Sequence, residues 1–137
     1  MLEHFVAAQD PIYQTALAEL RAGDKQTHWM WFIFPQLRAL GRSATALRYG
    51  LADLSEAKAY LAHKVLGPRL RECTQAMLGV EGRSAHDILH SPDDLKFRSS
   101  MTLFLLASAD PAPFRAALDK YYGGELDPRT VELLEAR

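Results

Sequence analysis

The residues with most chemical capacity sit close together in one short stretch, Lys25-Gln26-Thr27-His28-Trp29-Met30-Trp31-Phe32-Ile33-Phe34-Pro35-Gln36, which holds both tryptophans of the chain. Of the side chains in it, only histidine titrates near neutrality, so His28 is the candidate general base if there is chemistry to be done. Trp29 and Trp31 offer flat apolar surface for a planar ring, Lys25 a positive charge and Gln36 an amide. Farther on, Lys96 and Ser100 are four residues apart, which in a helix puts them on one face together with Asp93. The expected ligand-binding set is therefore Lys25, His28, Trp29, Trp31, Gln36, Lys96 and Ser100. It suits a small anionic or nucleotide-like ligand, held where the Trp-rich stretch meets the positive start of a helix beginning at Ser91. The competing reading is a helical protein-interaction or structural module without small-molecule chemistry, because no complete catalytic set can be assembled from the sequence. Both a monomer and a homodimer are compatible with it.

Three other groupings carry less. His86 and His90 are spaced i, i+4, like the two histidines of a metalloprotease zinc helix. A catalytic zinc needs a third protein ligand and supporting hydrogen bonds; the candidates are remote, so two exposed histidines and no metal are expected. Ser99, Ser100 and Thr102 lie in an apolar helix, where hydroxyls usually bond back to the carbonyl four residues earlier. Cys73, the single cysteine, falls at helical spacing with Leu66, Leu70 and Met77 and reads as an inert core thiol. No motif implies a cofactor.

The elements that must position these residues are helical. Six consecutive large apolar residues, Trp29 to Phe34, have to be buried on every side. No partner strand for them is evident, so the spacing predicts a helix from about Gln26 to Ile33, broken before Pro35. Asp10-Pro11, Ser91-Pro92, Asp110-Pro111 and Asp127-Pro128 each resemble an N-cap followed by proline in the first helical turn. Further helices are expected over Leu2 to Gln9, Pro11 to Ala22, Ser43 to Tyr49, from Ser55 to about His63, and from Gly67. Ser84 and Asp87 should make a capping box for a short helix through Leu89. Ser91 to Ser108, uncharged from Ser99 on, should be the central helix, with Trp29, Trp31, Phe97, Met101 and Phe104 in one cluster. The expected fold is an all-α single domain over residues 1–137, with about seven to nine helices, several of them short.

Composition narrows the classes. A chain of 137 residues buries enough surface for a core without disulfides. Its 16 basic and 17 acidic residues are dispersed, giving a net charge of −1 and no basic face for nucleic acid or anionic lipid. The first residues lack the pattern of a secretory signal, and no apolar run approaches the ~20 residues that span a bilayer. A cytoplasmic protein without nucleic-acid or membrane partners is the expectation.

The blocks from His28 to Gln36, Gly41-Arg42-Ser43, Leu66 to Leu70 and Asp93 to Phe104 resemble the signature segments of the domain of unknown function 1810 family. The similarity runs from about Phe5 to Leu134. It implies an all-helical single domain with no established activity. Some members carry an automatic calpastatin label, but calpastatin's inhibitory regions are flexible and polar, unlike this apolar chain. The family commonly has glycine where His90 stands, which further weakens a metal reading.

Overall fold

The computed structural model describes residues 2–135. These form ten α-helices and one 3-10 turn: α1 Glu3–Gln9, α2 Tyr13–Ala22, α3 Met30–Ile33, the 3-10 turn Arg38–Leu40, α4 Ala44–Tyr49, α5 Leu54–Ala62, α6 Leu66–Leu78, α7 Ala85–Leu89, α8 Asp93–Ala107, α9 Ala112–Tyr122 and α10 Pro128–Glu135. Among the described residues there is no strand, only an isolated bridge between Leu37 and Leu51. Among the described residues no helix is long and apolar enough to cross a membrane.

Four helices make a closed ring in which α8 packs on α5 and α9, and both of these pack on α6. The apolar character of α8 explains its place. Phe97, Met101, Leu103 and Phe104 are fully buried, and Ser99 and Thr102 satisfy their hydroxyls on the carbonyls of Leu95 (3.2 Å) and Arg98 (2.8 Å). Outside the ring, α2 covers α6, while α7 and α10 cover α8. One hydrophobic cluster joins side chains from all these helices. Trp29, Phe97, Met101 and Phe104 belong to it as expected. Trp31 does not, although only 9% of it is exposed.

The Trp-rich segment reaches α8 through Phe34, whose ring stands edge-on to Phe97 at 4.8 Å. Gln9 fixes the segment from behind, its amide donating to the Phe32 carbonyl (2.6 Å) and the Tyr60 hydroxyl (3.0 Å). The segment is helical over Met30–Ile33 only, shorter than Gln26 to Ile33: the Thr27 carbonyl, which a helix would give to the Trp31 amide, accepts from the Lys25 ammonium at 2.7 Å instead.

Of the four acid- or serine-proline pairs, only Asp127-Pro128 is a side-chain cap. Asp127 Oδ2 accepts from the Thr130 amide at 3.1 Å, and Pro128 is the first residue of α10. Asp10 is drawn away by Arg69 at 2.9 Å, and α2 starts without a side-chain cap. Pro92 and Pro111 themselves occupy the position before α8 and α9, again without one. Ser43 caps α4, and Ser84 with Asp87 forms the complete capping box of α7, both as the sequence predicts.

A cleft beside the Trp-rich segment

The segment leading into α3 is tied down from two sides. From α2, Glu19 accepts the amides of Gln26 (2.8 Å) and Thr27 (3.1 Å), the Thr27 hydroxyl (2.7 Å) and the Trp29 indole N–H (2.9 Å). Partial burial would raise the Glu19 carboxyl, but these donors outweigh it and hold the group at about 2, well below the usual carboxylate range. From α7, the Ile88 carbonyl accepts the Lys25 amide at 2.7 Å. His90 follows with φ 67° and ψ 171°, a region that side chains other than glycine rarely enter. Its ring Nε2 lies 3.1 Å from both Asp24 Oδ1 and the Lys25 carbonyl, contacts that a glycine there would not provide.

These ties close one side of a cleft of about 190 Å3 against the first turn of α8. Five of the expected site residues line it: Lys25, His28, Trp29, Trp31 and Lys96. Met30 and Phe32 extend the apolar wall, and Thr45 and Asp93 add polar groups. His28 is exposed, with no hydrogen-bond partner among the described residues. The Trp31 ring is wedged against Gly41, where an added Cβ would come within 2.9 Å of Trp31 Cζ2 and 2.5 Å of Ala46 Cβ. Glycine at position 41 thus sets how closely α4 approaches the cleft wall.

The charges are arranged differently from the expectation. Lys25 is buried and occupied: its ammonium meets Asp93 Oδ2 at 2.9 Å and the Thr27 carbonyl at 2.7 Å, and lies 4.9 Å from the Trp29 ring centre. It therefore braces the wall, and Trp29 is only 2% exposed. Lys96 is the more accessible cation, with one loose contact of 3.5 Å to Asp93 Oδ1. At the start of α8 the amides of Asp94 and Leu95 donate to the carbonyls of His90 (2.9 Å) and Pro92 (3.0 Å), so neither is free to donate to a ligand. Asp94 lies 3.4 Å from His86, while Arg98 donates to the carbonyls of Glu125 and Leu126.

Two of the expected residues stand apart from the cleft. Gln36 is buried and lines a separate shallow groove on the far side of Lys96, near Leu95 and Ser99. Ser100 is wholly buried one turn beyond Lys96, and its Oγ, alone among the α8 hydroxyls, has no hydrogen-bond partner among the described residues. His86 and His90 are exposed to more than half, and no cluster of three metal-ligating side chains occurs among the described residues. Cys73 is fully buried, which pushes its thiol up to about 12. Sequence reasoning missed Glu19, whose role depends on a turn returning the chain to α2. It saw Asp93 only as a helix neighbour of Lys96.

The crystal structure of the conserved hypothetical protein Rv1873 from Mycobacterium tuberculosis has the same fold, with a TM-score of 0.96 and 57% sequence identity over 98% of this chain and 96% of that one. No curated protein matches the chain. The family described as "Protein of unknown function (DUF1810)" matches residues 1–134. With a match of that extent, the chain belongs to the DUF1810 family.

Proposed function

We propose that the cleft binds a small ligand combining a flat ring with an anionic or nucleotide-like polar group. One observation carries this reading: Lys96 and His28, from segments far apart in sequence, share a concavity lined also by Trp31, Phe32 and Met30. An apolar wall facing a few convergent polar groups is the usual make-up of a small-molecule site. Size limits the ligand. At about 190 Å3 the cleft falls short of the ~300–1,000 Å3 typical of drug-sized ligands, so it takes a ring or a small acid, and the rest of a larger molecule would protrude. Lys96 supplies the accessible positive charge, and His28 is the group able to exchange a proton with a bound ligand.

A thermal-shift screen of nucleobases, nucleotides, sugar phosphates and small carboxylates tests the proposal. A ligand that raises the melting temperature should lose roughly tenfold or more in affinity in Lys96→Ala, the effect of one charge-assisted hydrogen bond. It should weaken in His28→Ala as well, with both variants still folded. Binding unchanged in both variants would place the ligand elsewhere.

A further inference from the structure

This inference rests on the proposed cleft and concerns what it recognises. Asp93 and Lys96 stand side by side on the first turn of α8, Oδ1 to Nζ 3.5 Å, too long for a strong ion pair. Asp93 Oδ2 is engaged by Lys25 at 2.9 Å, whereas Oδ1 has only the loose Lys96 contact. A carboxylate offers about four lone-pair sites and an ammonium three protons, so each retains unused capacity. Both are reachable, with side chains 19% and 32% exposed. The cleft therefore presents an acceptor beside a donor.

The complement of that pair is a donor beside an acceptor on the rim of a flat ring. A lactam supplies it as N–H next to C=O, and an amidine as an amino group next to a ring nitrogen. A simple carboxylate or phosphate is a poorer match, since it would satisfy Lys96 but bring like charge against Asp93. Lys25 offsets part of this repulsion through its ion pair with Asp93, but its ammonium is bonded to Asp93 and the Thr27 carbonyl and does not give the ligand a second donor. We infer that the cleft reads a nucleobase-like heterocycle by its lactam or amidine edge. Asp93 accepts the ligand N–H, Lys96 donates to the adjacent acceptor, and the ring lies against Trp31 and Phe32. Substituents on the ring leave past His28 and Thr45, the two exposed side chains of the lining.

Isothermal titration of the full chain with uracil, hypoxanthine, 1,3-dimethyluracil, benzoate and inorganic phosphate tests this. Uracil or hypoxanthine should bind. Methylating the edge should weaken uracil roughly tenfold or more, the loss expected for one hydrogen bond, and Lys96→Met should weaken both bases similarly with an unchanged circular dichroism spectrum. The methylation series leaves the protein intact, which avoids Asp93→Asn, a change that strips buried Lys25 of its counter-ion. Equal binding of uracil and 1,3-dimethyluracil overturns the edge-reading inference. Benzoate or phosphate binding more tightly than either base, in a Lys96-dependent way, also overturns it while leaving the cleft as a ligand site. No binding by any of the five overturns both.

Discussion

Glu19 shows how much of the site depends on a residue outside it. Its carboxylate holds two amides, a hydroxyl and the indole N–H of a tryptophan that is 2% exposed. Glu19→Ala should therefore cost roughly 1–3 kcal/mol in urea unfolding, the net worth of hydrogen bonds to a charged group, of which the one from the Trp29 indole is part-buried and the others exposed; a loss under about 0.5 kcal/mol would contradict the latch. The same carboxyl makes a pH prediction. Its folded pKa, about 2, is below the ordinary glutamate value, so the stability it contributes is complete above about 4.3 and fades as pH falls from there toward 2. That share of the acid destabilisation should vanish in Glu19→Gln, and an identical acid titration in variant and parent would refute it. The two tryptophans should separate in the same assay. Trp29→Ala removes a buried ring from the central cluster and should cost roughly 3–5 kcal/mol, whereas Trp31→Ala, outside that cluster, should cost clearly less. Much of this scale was readable in advance. Lys25, His28, Trp29, Trp31 and Lys96 do meet in one cleft. Which lysine is free was not, because burial and the Lys25–Asp93 pair arise only from tertiary packing.

At the scale of elements, the local signals were sound where the small polar residue itself stands directly before the helix, and failed at Ser91 and Asp110, where the following proline takes that position. Ser43 and Ser84 cap as expected, being exposed serines directly before their helices. Asp10 ends α1 in helical conformation and pairs with Arg69, from a helix distant in sequence, while α2 starts only at Tyr13, so its proline signal failed. Asp127 succeeds partly through the small hydroxyls of α8: Ser99 donates to its carboxylate at 3.0 Å, and Thr102 accepts its amide at 2.9 Å. Asp127→Ala should therefore destabilise by about 1–2 kcal/mol, as for a strong N-cap, and Asp110→Ala, with no cap to lose, by much less. Equal losses in chemical denaturation would contradict this assignment. The α5–α6 junction has a different requirement. A Cβ at Gly67 would sit 2.2 Å from the Leu61 carbonyl oxygen, so Gly67→Ala has to push two backbones apart and should cost at least the ~1–3 kcal/mol of an overpacked core.

For the molecule as a whole, the all-α architecture and the central place of α8 were legible because apolar periodicity is a local property of the sequence. The closed ring of α5, α6, α9 and α8 was not, since helix order in space is set by long-range packing. Cys73, fully buried with its thiol pushed up to about 12, should react with a thiol reagent only when the whole core opens, so labelling should track global unfolding. Prompt labelling in native buffer would show that the core opens locally. The ligand site can be probed just as directly, because both tryptophans line the cleft and no tryptophan lies elsewhere. Intrinsic tryptophan emission is thus a reporter confined to it. Titrating the ligands that raise the melting temperature while recording that emission is the decisive measurement. A saturable change with the same midpoint as the thermal stabilisation, lost in Lys96→Ala, is what the cleft predicts. Stabilising ligands that leave the emission unchanged would contradict it.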